Sequence, residues 1–129
     1  MKTQQAGQKP LNFVSSSPQN GATGVSPDLK TVLLVFDKNV VNDVVWDNNR
    51  QQIKMWRGTT PISINVTRIK DTVDFSKRNN IYVKPTQALR SLSWYKIVIY
   101  PDLTAKNGEQ LGKTVTISFQ TGRRTQPDE

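Results

Sequence analysis

The chain contains no cysteine and no histidine. Without cysteine there is no disulfide framework, no thiolate nucleophile, no iron–sulfur cluster and no thiolate zinc site. Without histidine there is no imidazole base, no Ser-His-Asp triad and no histidine-held metal or haem. Carboxylates are scarce too: ten Asp and Glu stand against eighteen Lys and Arg, a formal charge of +8. Long apolar runs are missing. The longest, Val32 to Phe36, is far too short to span a bilayer, so membrane insertion is not expected. Behind Lys2 there is no apolar stretch, so no signal peptide is expected in this chain. What remains for chemistry is carboxylates, hydroxyls and cations. That argues against most enzyme classes, and neither a cofactor nor a metal site is expected.

What is present suits one domain. The 129 residues have room for a single ordinary core, and the 35% apolar fraction is above that of a disordered chain. Residues 1–9 are polar and read as a flexible lead, residues 10–122 as the domain, and residues 123–129 as a polar tail. Seven strand signals follow one another in the domain: Leu11 to Ser16, Thr31 to Phe36, Ile53 to Arg57, Ile62 to Ile69, Ile81 to Lys84, Trp94 to Tyr100 and Thr114 to Gln120. The last is the cleanest alternation, with Val115, Ile117 and Phe119 on one face. Pro85 and Pro101 stop two of the strands, because proline cannot donate to a ladder. Pro18, Asn20, Gly21, Gly24 and Pro27 make a turn-rich connection. Only Val40 to Asn49 departs from the β pattern. It could form a helical turn with Val41, Val44 and Val45 on one face, capping one end of the fold with Trp46 partly buried. Short strands with turns between them, and no βαβ alternation, predict an all-β sandwich or barrel.

One stretch is more specific. PQNGATGVSPDLKTVLLVFDKNV, from Pro18 to Val40, resembles the opening of bacterial Ig-like domains of the SbsA (S-layer) type: a proline, an Asn-Gly-Ala-Thr-Gly-Val loop, then an apolar strand ending in Phe-Asp. Leu89 to Tyr95, the Asp102-Leu103 and Asn107-Gly108 turn, and the Ile117, Phe119, Thr121, Gly122 ending are similar to later parts of the family pattern. Arg90, Ser91 and Leu92 stand where the family has a Pro-Gly pair. The resemblance implies an immunoglobulin-like β-sandwich of about seven strands. It implies structural roles for Phe36 and Phe119, and an inward Tyr95 forming a tyrosine corner.

The candidates for chemistry are weak. Asp43 and Asp47, four apart on a helical face, read as solvated capping carboxylates rather than a glycosidase pair. Asp71 and Asp74 flank a turn among Lys70, Lys77 and Arg78 and read the same way. Asp102 to Gly108 has oxygen ligands for calcium but lacks the dense spacing of a dedicated loop, and reads as a turn. The sequon Asn65-Val66-Thr67 carries no weight in a chain resembling a bacterial family. The cations are dispersed, with no aromatic RNA-binding motif among them, so no nucleic-acid partner is expected.

Strand faces say more. The resemblance implies that Val32, Leu34 and Phe36 point inward, which leaves Leu33 and Val35 outward, and the family's usual strand order puts Tyr82 on the same sheet. That order puts Trp56, Val98 and Tyr100, also outward, on the other sheet. These six are the candidate partner or glycan contacts; the alternative reading is that loops or the stems of Lys and Arg cover them. The leading expectation is a non-catalytic spacer or adhesion module of an extracellular or cell-envelope protein, its termini at opposite ends. Its partners would be neighbouring domains of the same protein or other envelope proteins. The second expectation is a module binding a carbohydrate or an anionic wall polymer, with Trp56, Trp94 and Tyr100 stacking on sugar rings. An enzyme stands last.

Overall fold

Nine strands and one helix form in the computed structural model, which describes residues 10–124. The elements are β1 (Phe13–Ser17), β2 (Ala22–Val25), β3 (Val32–Phe36), α1 (Asp43–Asn49), β4 (Ile53–Arg57), β5 (Thr60–Pro61), β6 (Ile64–Thr67), β7 (Asn80–Pro85), β8 (Trp94–Ile99) and β9 (Val115–Thr121). One sheet has the order β1-β3-β7-β6 and the other β2-β9-β8-β4-β5. The two sheets form an Ig-like β-sandwich. The lead at residues 1–9 and the tail beyond Arg124 lie outside the described residues.

Alternation builds the core. Val32, Leu34 and Phe36 of β3 face Ile53 and Met55 of β4, Ile97 and Ile99 of β8, and Ile117 and Phe119 of β9, all at most 2% exposed. The first sheet supplies Ile81 and Val83 of β7 as well. Apolar side chains at every second position are driven inward by the gain on leaving water, and the polar residues between them stay out.

Two strands escape the alternation. The four residues of β2 fall in the turn-rich connection, and Gly24 there has φ +68°. They become a strand because β9 runs parallel beside them, with Ala22 opposite Phe119 and Val25 opposite Thr121. Among the described residues, the two residues of β5 pair only with Trp56 and Arg57. The strand expected over 62–69 shortens to β6 because the chain changes sheet at its start. Ile62 N–H donates to the Met55 carbonyl at 2.9 Å, in the second sheet, while the Ser63 carbonyl accepts from Thr86 N–H at 3.0 Å, in the first.

The helix forms where the valines suggested a turn. The Asn42 side chain caps it, accepting from Val44 N–H at 3.0 Å. Val41 and Val45 are buried, but Val44 is 84% exposed, contrary to the shared face expected. The reason is local: Asn42 is extended (φ −57°, ψ 144°), so Val41 lies before the helix and is not in its phase. Trp46 is half-buried, with the Arg68 guanidinium 5.2 Å from its ring centre.

The chain enters and leaves at opposite ends. At the base, both Asp37 oxygens accept from Asn12, its backbone N–H at 2.9 Å and its side chain at 3.0 Å. Two residues on, the Asn39 carbonyl accepts from Lys106 N–H at 2.8 Å, which brings the loop before β9 to the same end. Burial pushes the Asp37 carboxyl upward, but the Asn12 donors outweigh it and hold it below the usual carboxylate value. At the top, Gly122 N–H donates to the Val25 carbonyl at 2.9 Å, and Arg124 pairs with Asp28 and donates to the Leu89 carbonyl. Arg124 is therefore held against the domain, although the sequence places it in the tail. A Cβ at Gly122 would lie 3.2 Å from the Gly24 Cα, so the terminal glycine permits the close approach of the chain after β9 to β2.

The turn between β7 and β8 carries strain. Leu92, one of the residues standing in place of the family's Pro-Gly pair, has φ 53° and is 55% exposed. A left-handed conformation costs a residue with a Cβ roughly 1–2 kcal/mol, and part of this is lost again to the greater freedom of unfolded glycine. Leu92→Gly is therefore expected to raise stability by about 0.5–1 kcal/mol. A urea midpoint no higher than that of the parent chain would refute this.

Candidate functional site

Several polar side chains of the base hold loops together. Asn39 and Asn42 each donate a side-chain N–H to one oxygen of Asp71 at 2.9 Å. Asn39 first and Asn42 second hold the Asp71 carboxyl below its usual value, against a smaller opposing effect of burial. Asp74 accepts from the backbone N–H and hydroxyl of Ser76, at 3.0 and 2.6 Å, and caps a single 3-10 turn over Phe75–Lys77. The two helix carboxylates are each paired, Asp43 with Arg68 and Asp47 with Arg50, at 2.7 Å in both cases. In the 102–108 loop the Asp102 carbonyl accepts from the Asn48 side chain at 2.9 Å and from the Thr104 hydroxyl at 2.7 Å, and Asn107 accepts from Glu109 N–H. These oxygens serve the turn.

At the top the residues flagged by the resemblance converge. Tyr95 is buried, and its hydroxyl accepts from Arg90 N–H at 2.8 Å, five residues upstream. The buried Thr121 hydroxyl donates to the Arg90 carbonyl at 2.5 Å and accepts from Ser93 N–H at 2.9 Å. One turn is thus held on both polar groups of Arg90. Phe119 stacks beside Tyr95 with ring centres 5.9 Å apart. Phe36 meets Phe13 edge to face at 5.7 Å.

The six outward candidates divide between the sheets, with Leu33, Val35 and Tyr82 on β3 and β7, and Trp56, Val98 and Tyr100 on β4 and the β8 end. Val98 is not an exposed contact: it retains 8% of its surface, as the covered alternative has it. It is central in its sheet, between Lys54 of β4 and Thr116 of β9, and such flanking side chains cover it. Leu33, Val35, Tyr82, Trp56 and Tyr100 are half-buried. The large apolar side chains most open to water are others: Val14, Val44, Val73, Phe75, Leu92 and Trp94. All but Val14 and Trp94 sit in loops or on the helix, where strand alternation says nothing. Trp94 and Trp56 share the outer face of the second sheet, Trp56 opposite Lys96 and Trp94 two residues before Lys96 on β8. Trp94 opens β8 and Tyr100 follows its last residue, so these two stand at opposite ends of the strand.

A broad concavity runs along one side of the sandwich, between β4–β5 of one sheet and β6 of the other. It has a volume of about 1230 Å³. It is shut at the top by the Pro61–Ser63 crossing and reaches Arg50, Thr67 and Tyr100 toward the base. Ile62, Ile64 and Val66 make an aliphatic wall, and Trp56 and Tyr100 stand on the opposite side. Arg50, Lys54 and Lys84 are its charged lining residues, all cationic. Sequence reasoning found Trp56 and Tyr100 but not the groove, which depends on how the strands pair.

A search of curated proteins by sequence finds no match. Similar solved structures include S-layer protein SbsC domains 1–6, with a TM-score of 0.60, 12% identity, and coverage of 91% of this chain and 14% of that one. The rSbsC(31-844) structure matches equally. The N-terminal part of SbsC matches with a TM-score of 0.57 and 11% identity, over 88% of this chain and 24% of that one. The chain thus spans only a small part of the length of these S-layer proteins, and at such identities the likeness is one of fold. A family match covers residues 7–121, nearly the whole sandwich, and by it the chain belongs to the bacterial Ig-like domain family.

Proposed function

We propose that this domain is a non-catalytic spacer in a bacterial cell-envelope protein, transmitting load between neighbours joined to its two ends. The observation that carries the reading is the placement of the ends. Asn12 is clamped at the base by Asp37, the chain leaves at the top past Gly122, and the first and last parts of the fold meet in the parallel pair β2–β9. Tension between the termini draws these two strands in opposite directions along their length. Their hydrogen bonds then share the load and break together, whereas an antiparallel hairpin pulled from one end opens bond by bond. The similarity to S-layer domains, themselves parts of much longer chains, supports an envelope setting. A role in adhesion to other envelope proteins fits the same setting.

Single-molecule stretching tests the reading. A tandem array pulled through its termini is expected to unfold at a clearly higher force than the same domain pulled between the Gly58 turn and the C-terminal end. The readout is the rate of forced unfolding, which follows the unfolding barrier. Equal forces in the two directions would remove the basis for a load-transmitting role.

A further inference from the structure

We propose that the groove between β4 and β6 takes an extended acidic peptide, which adds as a fifth strand to the free edge of β6. The ladder geometry shows which backbone groups are available. The Ser63 carbonyl accepts from Thr86 N–H at 3.0 Å, and Asn65 and Thr67 follow at two-residue intervals opposite Lys84 and Tyr82. Antiparallel pairs alternate between bonded and unbonded, so the N–H and C=O groups of Ile64 and Val66 turn away from β7 and into the groove. Across it, the Gln52 carbonyl accepts from Tyr100 N–H, and Lys54, two residues on, pairs with Val98. The backbone of Ile53 therefore also faces the groove. Among the described residues β6 pairs with β7 alone. A row of unpaired donors and acceptors on a sheet edge is a template for another strand.

The side chains select the occupant. The inward side chains of an added strand would fall on the half-buried Ile64 and Val66, which already pack on the core. Its flanks meet Lys84 on one side and Lys54 on the other. Arg50, at the base, is already held by Asp47, and no Asp or Glu lines the groove among the described residues. Acidic residues alternating with apolar ones satisfy both demands. A sugar chain is the poorer fit. It would need open aromatic faces, while Trp56 and Tyr100 are half-buried and the facing wall is aliphatic with donors and acceptors at strand spacing. The proposal is independent of the spacer reading, since it concerns a side of the sandwich and not its ends.

Amide hydrogen exchange on the full chain, followed residue by residue by NMR, tests it with a short peptide alternating valine and glutamate. In the free protein Ile64 and Val66 should exchange fast while Asn65 and Thr67 are slow. The peptide should slow Ile64 and Val66 by about tenfold or more, as edge amides become bonded. A valine–lysine peptide should not. Val66→Pro removes an N–H that faces the groove and none that bonds β7, and should abolish the protection at Ile64. Should that variant fail to fold, Lys84→Glu serves instead and should shift the preference toward the lysine peptide. Slow exchange of Ile64 and Val66 in the free chain overturns the proposal. So does an absence of protection, equal protection by both peptides, or the same protection from an anionic oligosaccharide such as polygalacturonate.

Discussion

Replacing Asn49 with alanine is expected to cost about 3–5 kcal/mol, more than any other polar substitution in the domain. Asn49 ends α1 and is completely buried. Its side-chain amide donates to the Val40 and Thr104 carbonyls, both at 2.8 Å, and its side-chain oxygen accepts from Thr104 N–H at 2.9 Å. One amide thus ties the helix to the end of the β3 connection and to the loop before β9, the three segments that close the base. Truncation strands all three backbone groups away from water, and each such orphan costs roughly 1–3 kcal/mol unless water reaches it. Asn49→Asp should be at least as damaging, because it aims a carboxylate oxygen at two carbonyl oxygens. The neighbouring Asn48 is the control: its side chain is exposed, and Asn48→Ala should cost no more than about 1 kcal/mol. Urea unfolding of the three variants decides the matter. Equal midpoints for the Asn48 and Asn49 variants would show that the buried amide does not close the base.

Asn49 also marks how far the sequence could be read. Nothing distinguishes it from Asn48 in DVVWDNN; only the packing of two distant loops around it does so. Strand interiors were a different matter. Val115, Ile117 and Phe119 alternate cleanly and lie on one side of β9, because a central strand between two neighbours has no choice but to bury one face. The same rule misjudged Val98. Its position is on the outer face, but a wide sheet lets long neighbours cover that face, and alternation does not register their reach. It missed β2, whose residues Ala-Thr-Gly-Val carry no strand pattern and owe their pairing to β9. The resemblance to the bacterial Ig-like family did what periodicity could not and placed Thr121 and Gly122 in the family's ending; in the structure Thr121 holds the Arg90 turn and Gly122 lies close to Gly24. The groove was legible only in part. Trp56 and Tyr100 are conspicuous in the sequence, but a free edge at Ile64 and Val66 is a property of which strand ends the sheet, and that is decided by the chain crossing at Pro61–Ser63.

Phe119→Ala is expected to cost about 3–5 kcal/mol, a large part of the stability of a domain of this size. The ring is fully buried near the end of β9, stacked on Tyr95 with planes 21° apart, and Ala22 of β2 lies opposite it. Its removal loses apolar transfer energy, opens a cavity that neighbouring strands cannot collapse into, and deprives Tyr95 of an aromatic contact worth about 0.5–1.5 kcal/mol. The loss then spreads in a definite direction. Tyr95 holds Arg90 N–H, Thr121 holds the Arg90 carbonyl, and β2 leans on β9 at Phe119, so the top of the sandwich and the strand pair proposed to carry load share this one ring. Phe119→Leu keeps most of the volume and is the variant to use if alanine prevents folding. It should lower thermal stability less than alanine does, yet still weaken the β2–β9 pair. Phe36→Ala gives the contrast. Phe36 is as buried as Phe119 but belongs to β3, whose edge-to-face partner is Phe13 of β1. It should match Phe119→Ala in equilibrium unfolding while leaving exchange of the Val25 and Gly122 amides closer to that of the parent chain under native conditions. Should the two alanine variants expose the top equally, Phe119 is an ordinary core residue, and the coupling between the Tyr95 turn and the parallel pair is absent.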